Sequence, residues 1–265
     1  MYPYEIFLGM DLYTILFAVG VILCMVFIRL QADWRGIRAG LQNLFLFNTI
    51  AAVVLGYGCA VLLQAFYNFK ANGRFEITDS TGATFYGGLI GGTALFIIIY
   101  YVAGHFLFND QYHKIHLRTA SDIAPACICI AHGFGRLGCL MAGCCYGAKC
   151  DAWYCIEMVN LGYKVVPVQL FEAIYLIGLS VVFLFLFKKG KKYLMPAYMI
   201  AYALWRFVAE ILRNDYRGET VVDFLTPSQF VSVLLLAGGL ILWALELYAD
   251  GKKAKKALAE GETHE

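Results

Sequence analysis

Charge is what this chain has least of. Only 15% of its 265 residues are Asp, Glu, Lys or Arg, against 61% apolar. Soluble domains carry about a quarter charged residues, so this scarcity excludes an ordinary water-soluble fold and indicates a polytopic membrane protein. No basic domain interleaved with aromatics is present, which removes nucleic acid as a partner. No small-residue cleavage site follows the first apolar segment, so that segment reads as a retained span rather than a removed signal peptide. No internal repeat is visible. The nine cysteines lack the paired C-x-x-C spacing of zinc sites. Cys24, Cys59, Cys127 and Cys129 lie in apolar runs and read as small core residues. Cys139, Cys144, Cys145, Cys150 and Cys155 crowd together, which leaves both a disulfide and a metal open.

What is there instead is a set of long apolar segments, at about 12–28, 44–67, 84–106, 120–141, 168–187, 193–212 and 228–248. Each approaches the roughly 20 residues a helix needs to cross ~30 Å of hydrocarbon. The expected fold is therefore all-α, with seven transmembrane helices in one membrane domain, residues 1–250, and a charged tail, residues 251–265. Basic residues set the orientation. Arg29, Arg35, Arg38, Lys114, Arg118, the Lys188–Lys192 run and the tail lysines fall on one side. Lys70, Arg74, Lys149, Lys164, Arg213 and Arg217 fall on the other. The positive-inside rule then places the amino terminus outside and the carboxyl terminus in the cytoplasm.

One stretch, His132 to Gly147, breaks the apolar pattern with an arginine, a histidine and three cysteines. A charge at membrane depth costs about 2.5–3.5 kcal/mol on the insertion scale, so Arg136 is either functional or neutralised by a buried carboxylate. His132, Arg136 and Cys139 are spaced i, i+4, i+7 and share one helix face. Gly133, Gly135, Gly138 and Gly143 let another backbone or a headgroup approach. Arg206, Glu210 and Arg213 repeat the spacing on the sixth segment. There Glu210 either satisfies Arg206 as an i, i+4 ion pair or orients it as a planar fork for a phosphate. With the orientation above, these motifs, the start of the third segment and the start of the fifth all reach the outer leaflet.

The ordered blocks Phe85-Tyr86-Gly87-Gly88-Leu89-Ile90-Gly91, Gly135-Arg136-Leu137-Gly138, Pro167-x-Gln169-Leu170-Phe171-Glu172-Ala173, Arg206-Phe207-x-x-Glu210-x-x-Arg213 and Leu225-Thr226-x-x-Gln229-x-x-Ser232 resemble the bacterial prolipoprotein diacylglyceryl transferases over nearly the whole chain. The resemblance implies a multi-pass enzyme of the bacterial inner membrane. Its reaction moves the diacylglyceryl group of phosphatidylglycerol to the thiol of a lipobox cysteine in a pre-lipoprotein, at a site facing the outer leaflet. No cofactor or metal is implied, and the partners are phosphatidylglycerol, the lipobox peptide and the bilayer. Carried over by motif, Arg136 and Arg206 are the headgroup arginines and Glu210 is the polar partner of Arg206. Tyr86, Glu210 and His132 are candidates for handling the thiol proton, with Tyr86 favoured as a positioning group in a relay. Tyr13, Gly87, Gly88, Gly138, Cys139, Cys144, Gln169 and Glu172 are the expected substrate-binding positions.

The chain departs from the family pattern at several of these. Tyr86 stands for the usual His, and Cys139 for the Asn of Gly-Arg-x-Gly-Asn. Ala142-Gly143-Cys144 replaces Asn-Gly-Glu, and Gly56-Tyr57-Gly58 replaces Gly-Ala-Arg. A cysteine-based redox or lipid-binding membrane protein, and a related transferase with a different acceptor, remain alternative readings.

Overall fold

A computed structural model describes residues 4–262 apart from 8, 74, 76, 79, 80 and 214–224. Side chains are described for the same residues except Phe7, Ala71, Asn72, Phe85, Tyr86 and 256–262. The chain forms two compact units, residues 28–120 and residues 1–27 with 121–265. Among the described residues, six helices are long and apolar enough to cross a membrane. They are α1 (Leu12–Trp34), α2 (Ala39–Asn72), α3 (Phe85–Leu107), α5 (Leu117–Ala142), α6 (Val168–Lys188) and α8 (Pro227–Glu262), with the one-turn α4 (Tyr112–Ile115) between α3 and α5. The expected span near 193–212 is also a helix, α7 (Leu194–Ile211). It is 18 residues long and carries Arg206 and Glu210, and it lies outside the set of six. The charged tail does not break away from its span, because residues 251–262 continue α8. Two short antiparallel hairpins, β1 (Glu5–Phe7) with β2 (Met10–Asp11) and β3 (Ile156–Met158) with β4 (Tyr163–Val165), are additions the apolar pattern did not contain.

In the unit of residues 28–120, α2 and α3 pair closely. Gly87, Gly88, Gly91 and Gly92 of α3 lie against Gly56, Cys59 and Ala60 of α2. A Cβ on Gly91 would collide with the Cys59 Cβ, and one on Gly87 would stand 2.7 Å from the Cys59 carbonyl oxygen. Lipid tails are as apolar as Leu, so helices in a bilayer associate by close packing of small residues spaced four apart. Polar groups add to the pair. The Asn48 amide donates to the Phe96 carbonyl at 2.8 Å. Thr84, which precedes α3, donates its backbone N–H to the Ala60 carbonyl at 3.1 Å and its hydroxyl to Gln64 Oε1 at 2.6 Å.

In the other unit, α1 opens with Asp11, whose carboxylate accepts the Thr14 N–H at 2.9 Å, an N-cap bond. Hydrogen bonding from Thr14 holds the Asp11 carboxyl below the ordinary carboxylate range. Half of the most apolar stretch of α5 is buried, which makes it the central element here. Gly20 of α1 lies on Ala131 and Phe134 of α5, and Gly133 of α5 lies on Ile177 of α6. Ser180 of α6 donates to the Ala126 carbonyl at 2.7 Å. Asp122, buried in α5, accepts the N–H of Leu194 at 2.8 Å and so caps α7 from a neighbouring helix. Gly238 and Gly239 of α8 pack on Pro196, Met199 and Ile200 of α7.

The α2–α3 contact gives a direct test. Gly91→Ala should lower the thermal midpoint in detergent, since overpacking a tight contact costs about 1–3 kcal/mol. Adding Cys59→Gly, which removes the facing Cβ and sulfur, should recover part of the loss. An unchanged midpoint in Gly91→Ala would disprove the contact.

Candidate active site

Four helix ends meet at one end of the second unit. They are the carboxyl-terminal turns of α5 and α7 and the first turns of α6 and α8. Arg136 comes from α5, and its Nε lies 2.9 Å from Oε2 of Glu172 on α6. Glu172 is fully buried. Its other oxygen accepts the Tyr202 hydroxyl of α7 at 2.9 Å and stands 3.8 Å from His132 Nε2. One carboxylate therefore ties together α5, α6 and α7.

The second guanidinium is held within its own helix. Arg206 Nη2 lies 2.9 Å from Oε2 of Glu210, the expected i, i+4 pair. The same nitrogen donates to Ser228 Oγ of α8 at 2.8 Å. Glu210 Oε1 accepts the Thr226 hydroxyl at 3.2 Å. Thr226 and Gln229 form a reciprocal capping box, with Thr226 N–H to Gln229 Oε1 at 3.1 Å and Gln229 N–H to Thr226 Oγ1 at 3.2 Å. Pro227 occupies the first helical position, where its missing N–H costs nothing. The cap thus starts α8 at the place where its first turn grips the Arg206–Glu210 pair.

Tyr202 is within electrostatic range of both Arg136 and Arg206. Arg213, also buried, lies two residues beyond the end of α7, so the expected i, i+7 placement on one helix face stops at Glu210. Among the described residues, Arg136 and Arg206 each take one carboxylate as ion-pair partner. Arg206 Nη1 is buried and has no hydrogen-bond partner among the described residues. A buried, unpaired, charged donor is costly, and an anionic oxygen is the natural group to complete it.

The other expected positions divide between the two units. Gly138 lies against Tyr13: a Cβ there would stand 2.9 Å from Tyr13 Cδ2. Gln169 is fully buried and donates its amide to the Cys144 carbonyl at 3.1 Å. Cys139, Cys144 and Cys145 are free thiols. Cys150 and Cys155 form a disulfide in the loop that carries the β3–β4 hairpin. Gly87 and Gly88 belong to the unit of residues 28–120, where α2 takes up the space beside them. The Tyr86 side chain lies outside the described residues. Tyr202, Ser228 and the hydroxyl of Thr226 escaped the sequence reading. Tyr202 stands four residues before Arg206, so the helical repeat already put it on the arginine face. Thr226-x-x-Gln229 was legible as a capping box.

These features define a helical, multi-pass membrane protein with paired guanidinium–carboxylate groups gathered at one end of a helix cluster. A family model described as prolipoprotein diacylglyceryl transferase matches residues 4–245, and the chain belongs to that family. Among its relatives, phosphatidylglycerol–prolipoprotein diacylglyceryl transferase 2 of Clostridium perfringens is 32% identical over 252 residues, 90% of this chain and 92% of the relative. Phosphatidylglycerol–prolipoprotein diacylglyceryl transferase of Clostridium tetani is 25% identical over 89% of this chain and 93% of its own length. One from Dehalococcoides mccartyi is 30% identical over 85% of each.

The buried pair sets an expectation for stability. Glu172→Ala strands Arg136 and should cost about 3–5 kcal/mol, read as a fall in the thermal midpoint. Glu172→Leu combined with Arg136→Met should cost much less, because apolar replacement of both partners removes the stranded charge. Equal losses in the single and double variants would show that the pair does not carry this end of the fold.

Proposed function

We propose that this protein is a diacylglyceryl transferase that moves the diacylglyceryl group of phosphatidylglycerol to the lipobox cysteine thiol of a pre-lipoprotein. The observation that carries the reading is the guanidinium pair. Arg136 and Arg206 sit on different helices, each is oriented by its own buried carboxylate, and Arg206 keeps one buried donor unpaired among the described residues. The names of the relatives supply the donor lipid and the acceptor class.

The chemistry follows from charge. A thiolate attacks the glycerol carbon that bears the phosphate ester. The C–O bond breaks, its electron pair stays on the phosphate oxygen, and a C–S thioether forms. The leaving glycerol phosphate gains one negative charge relative to the diester. Guanidiniums aimed at the phosphate therefore bind the transition state more tightly than the substrate, which is the condition for raising the rate. A free thiol near pKa 8.5 is only a few per cent ionised at neutral pH, so its proton must be taken up. Glu172 and Glu210 are engaged in orienting the arginines. His132, beside Glu172 and facing Tyr202 at 5.3 Å between ring centroids, is placed to shuttle that proton. Tyr86 is assigned as a positioning group in the same relay, and Tyr13, Cys139 and Cys144 as the wall against which substrate packs, with Gly138 and the buried Gln169 shaping that wall from behind.

The reading also assigns seven spans, with α7 as the seventh, an outside amino terminus, and a site that opens to the outer leaflet of the bacterial inner membrane. A short polar span is tolerable because its Arg206–Glu210 pair is buried and engaged by Thr226 and Ser228 at the start of α8. The test of orientation is labelling. In a background without reactive native thiols, cysteines introduced at 68–83 and 147–166 should react with an impermeant maleimide on intact cells, and those at 30–40 and 188–192 should not. The reverse pattern would overturn the orientation.

The test of function is transfer of labelled diacylglyceryl from phosphatidylglycerol to a lipobox peptide. Arg136→Ala and Arg206→Ala should each lose at least about 100-fold in rate. Lys at either position should rescue poorly, because an ammonium lacks the bidentate fork. Near-normal transfer in both alanine variants, with membrane insertion intact, would refute the clamp.

A further inference from the structure

We infer that Cys139, Cys144 and Cys145 form a three-thiolate binding site for a soft, closed-shell cation of the Cu(I) and Zn(II) class. Their sulfur atoms all lie within 4.8 Å of one another. A cation held by three thiolates through bonds of about 2.3 Å sets its sulfurs about 4.0 Å apart when planar, so small side-chain rotations close the site. Thiolate ligands select soft cations over the hard Mg(II) and Ca(II).

The backbone holds the three sulfurs together. Helix α5 ends at Ala142, and Gly143 follows with φ of +70°, the left-handed turn that stops a helix. The Cys144 N–H returns to the Cys139 carbonyl at 3.1 Å, and the Cys144 sulfur lies 3.6 Å from that same oxygen. Cys145 has φ of +62°, a left-handed conformation uncommon for a residue with a side chain. Both flanks are fixed from outside the turn. The buried Gln169 amide holds the Cys144 carbonyl at 3.1 Å, and the Gly147 N–H reaches the Val166 carbonyl at 2.8 Å. The strained position at Cys145 is kept by these contacts, and its effect is to bring a third sulfur to the pair formed by Cys139 and Cys144.

A disulfide explains the arrangement less well. It uses two sulfurs and strands the third, and the neighbouring loop already pairs its own two as Cys150–Cys155. On binding, three S–H bonds break, three metal–sulfur bonds form and three protons leave to solvent, with no electron transfer. A Zn(II) site of this kind carries a net charge of minus one, and Arg136 and Arg213, both within electrostatic reach of Cys145, offset it. The inference does not depend on the transferase reading.

The test uses the full-length protein, reduced, in detergent, titrated with Cd(II) as a spectroscopic member of the class. A thiolate-to-metal charge-transfer band should grow and saturate at one equivalent. Cys139→Ser, Cys144→Ser and Cys145→Ser should each weaken binding at least about tenfold, since even a ligand's outer partner is worth that much. Cys59→Ser should leave binding unchanged. If a serine variant fails to fold, protection in the unaltered protein decides. Zn(II) should shield these three thiols together from maleimide, read by peptide mass spectrometry, and leave Cys59 unshielded. No band, full affinity in the triple serine variant, or no joint protection would each overturn the site. So would a disulfide between two of the three in protein isolated without reductant.

Discussion

An arginine inside an apolar helix cluster needs a carboxylate, and here it takes one from a different helix. The Arg136–Glu172 pair is the contact on which the rest of this end of the protein depends. A charge left alone at that depth would cost several kcal/mol, more than a typical packing contact returns. Glu172 therefore fixes α5 against α6. Through the Tyr202 hydroxyl it also fixes α7, and α7 brings Arg206 with it. Helix α8 then closes the arrangement, because its capping turn meets the second ion pair through Ser228 and Thr226. A chain of charge-assisted bonds, rather than apolar packing alone, sets the relative heights of four helices.

The same bonds neutralise and orient the two arginines from within the helix cluster. Each guanidinium is partly neutralised by its own carboxylate, which makes it tolerable inside the cluster and, in the function proposed above, leaves donors for a phosphate. A carboxylate that holds an arginine planar and still also reduces the entropy lost when the arginine grips its ligand. Orientation and neutralisation are thus one interaction, and the two readings open for Glu210, structural partner or functional one, are not exclusive.

Two of the departures from the family pattern, those that introduce cysteine, lie close together in space. Cys139 and Cys144 replace residues of the family pattern in the α5 motif, and the turn after α5 folds their sulfurs together with that of Cys145. A turn that begins at Gly143 and is held by Gln169 gives these replacements a common geometry rather than three separate ones.

The sequence by itself determined the medium, the class and the cast. Scarce charge and long apolar runs required a membrane-embedded helical chain, and the i, i+4 spacing of Arg206 and Glu210 already implied their pair. Other features needed the fold. Nothing in residues 117–142 says that Arg136 will find its counterion 36 positions later, since pairing between helices depends on which faces meet. Helix α7 shows the limit of apolar counting, because its polar residues face protein partners rather than lipid. Gly87 and Gly88 looked like room for a substrate, yet α2 fills that room, and only the packing of the two helices decides it. The three thiols are six residues or fewer apart in sequence, but a left-handed turn at Gly143 and Cys145 determines that their sulfurs converge. Composition and periodicity report what each helix is made of. Which helix lies beside it is settled by long-range contacts that no local pattern encodes.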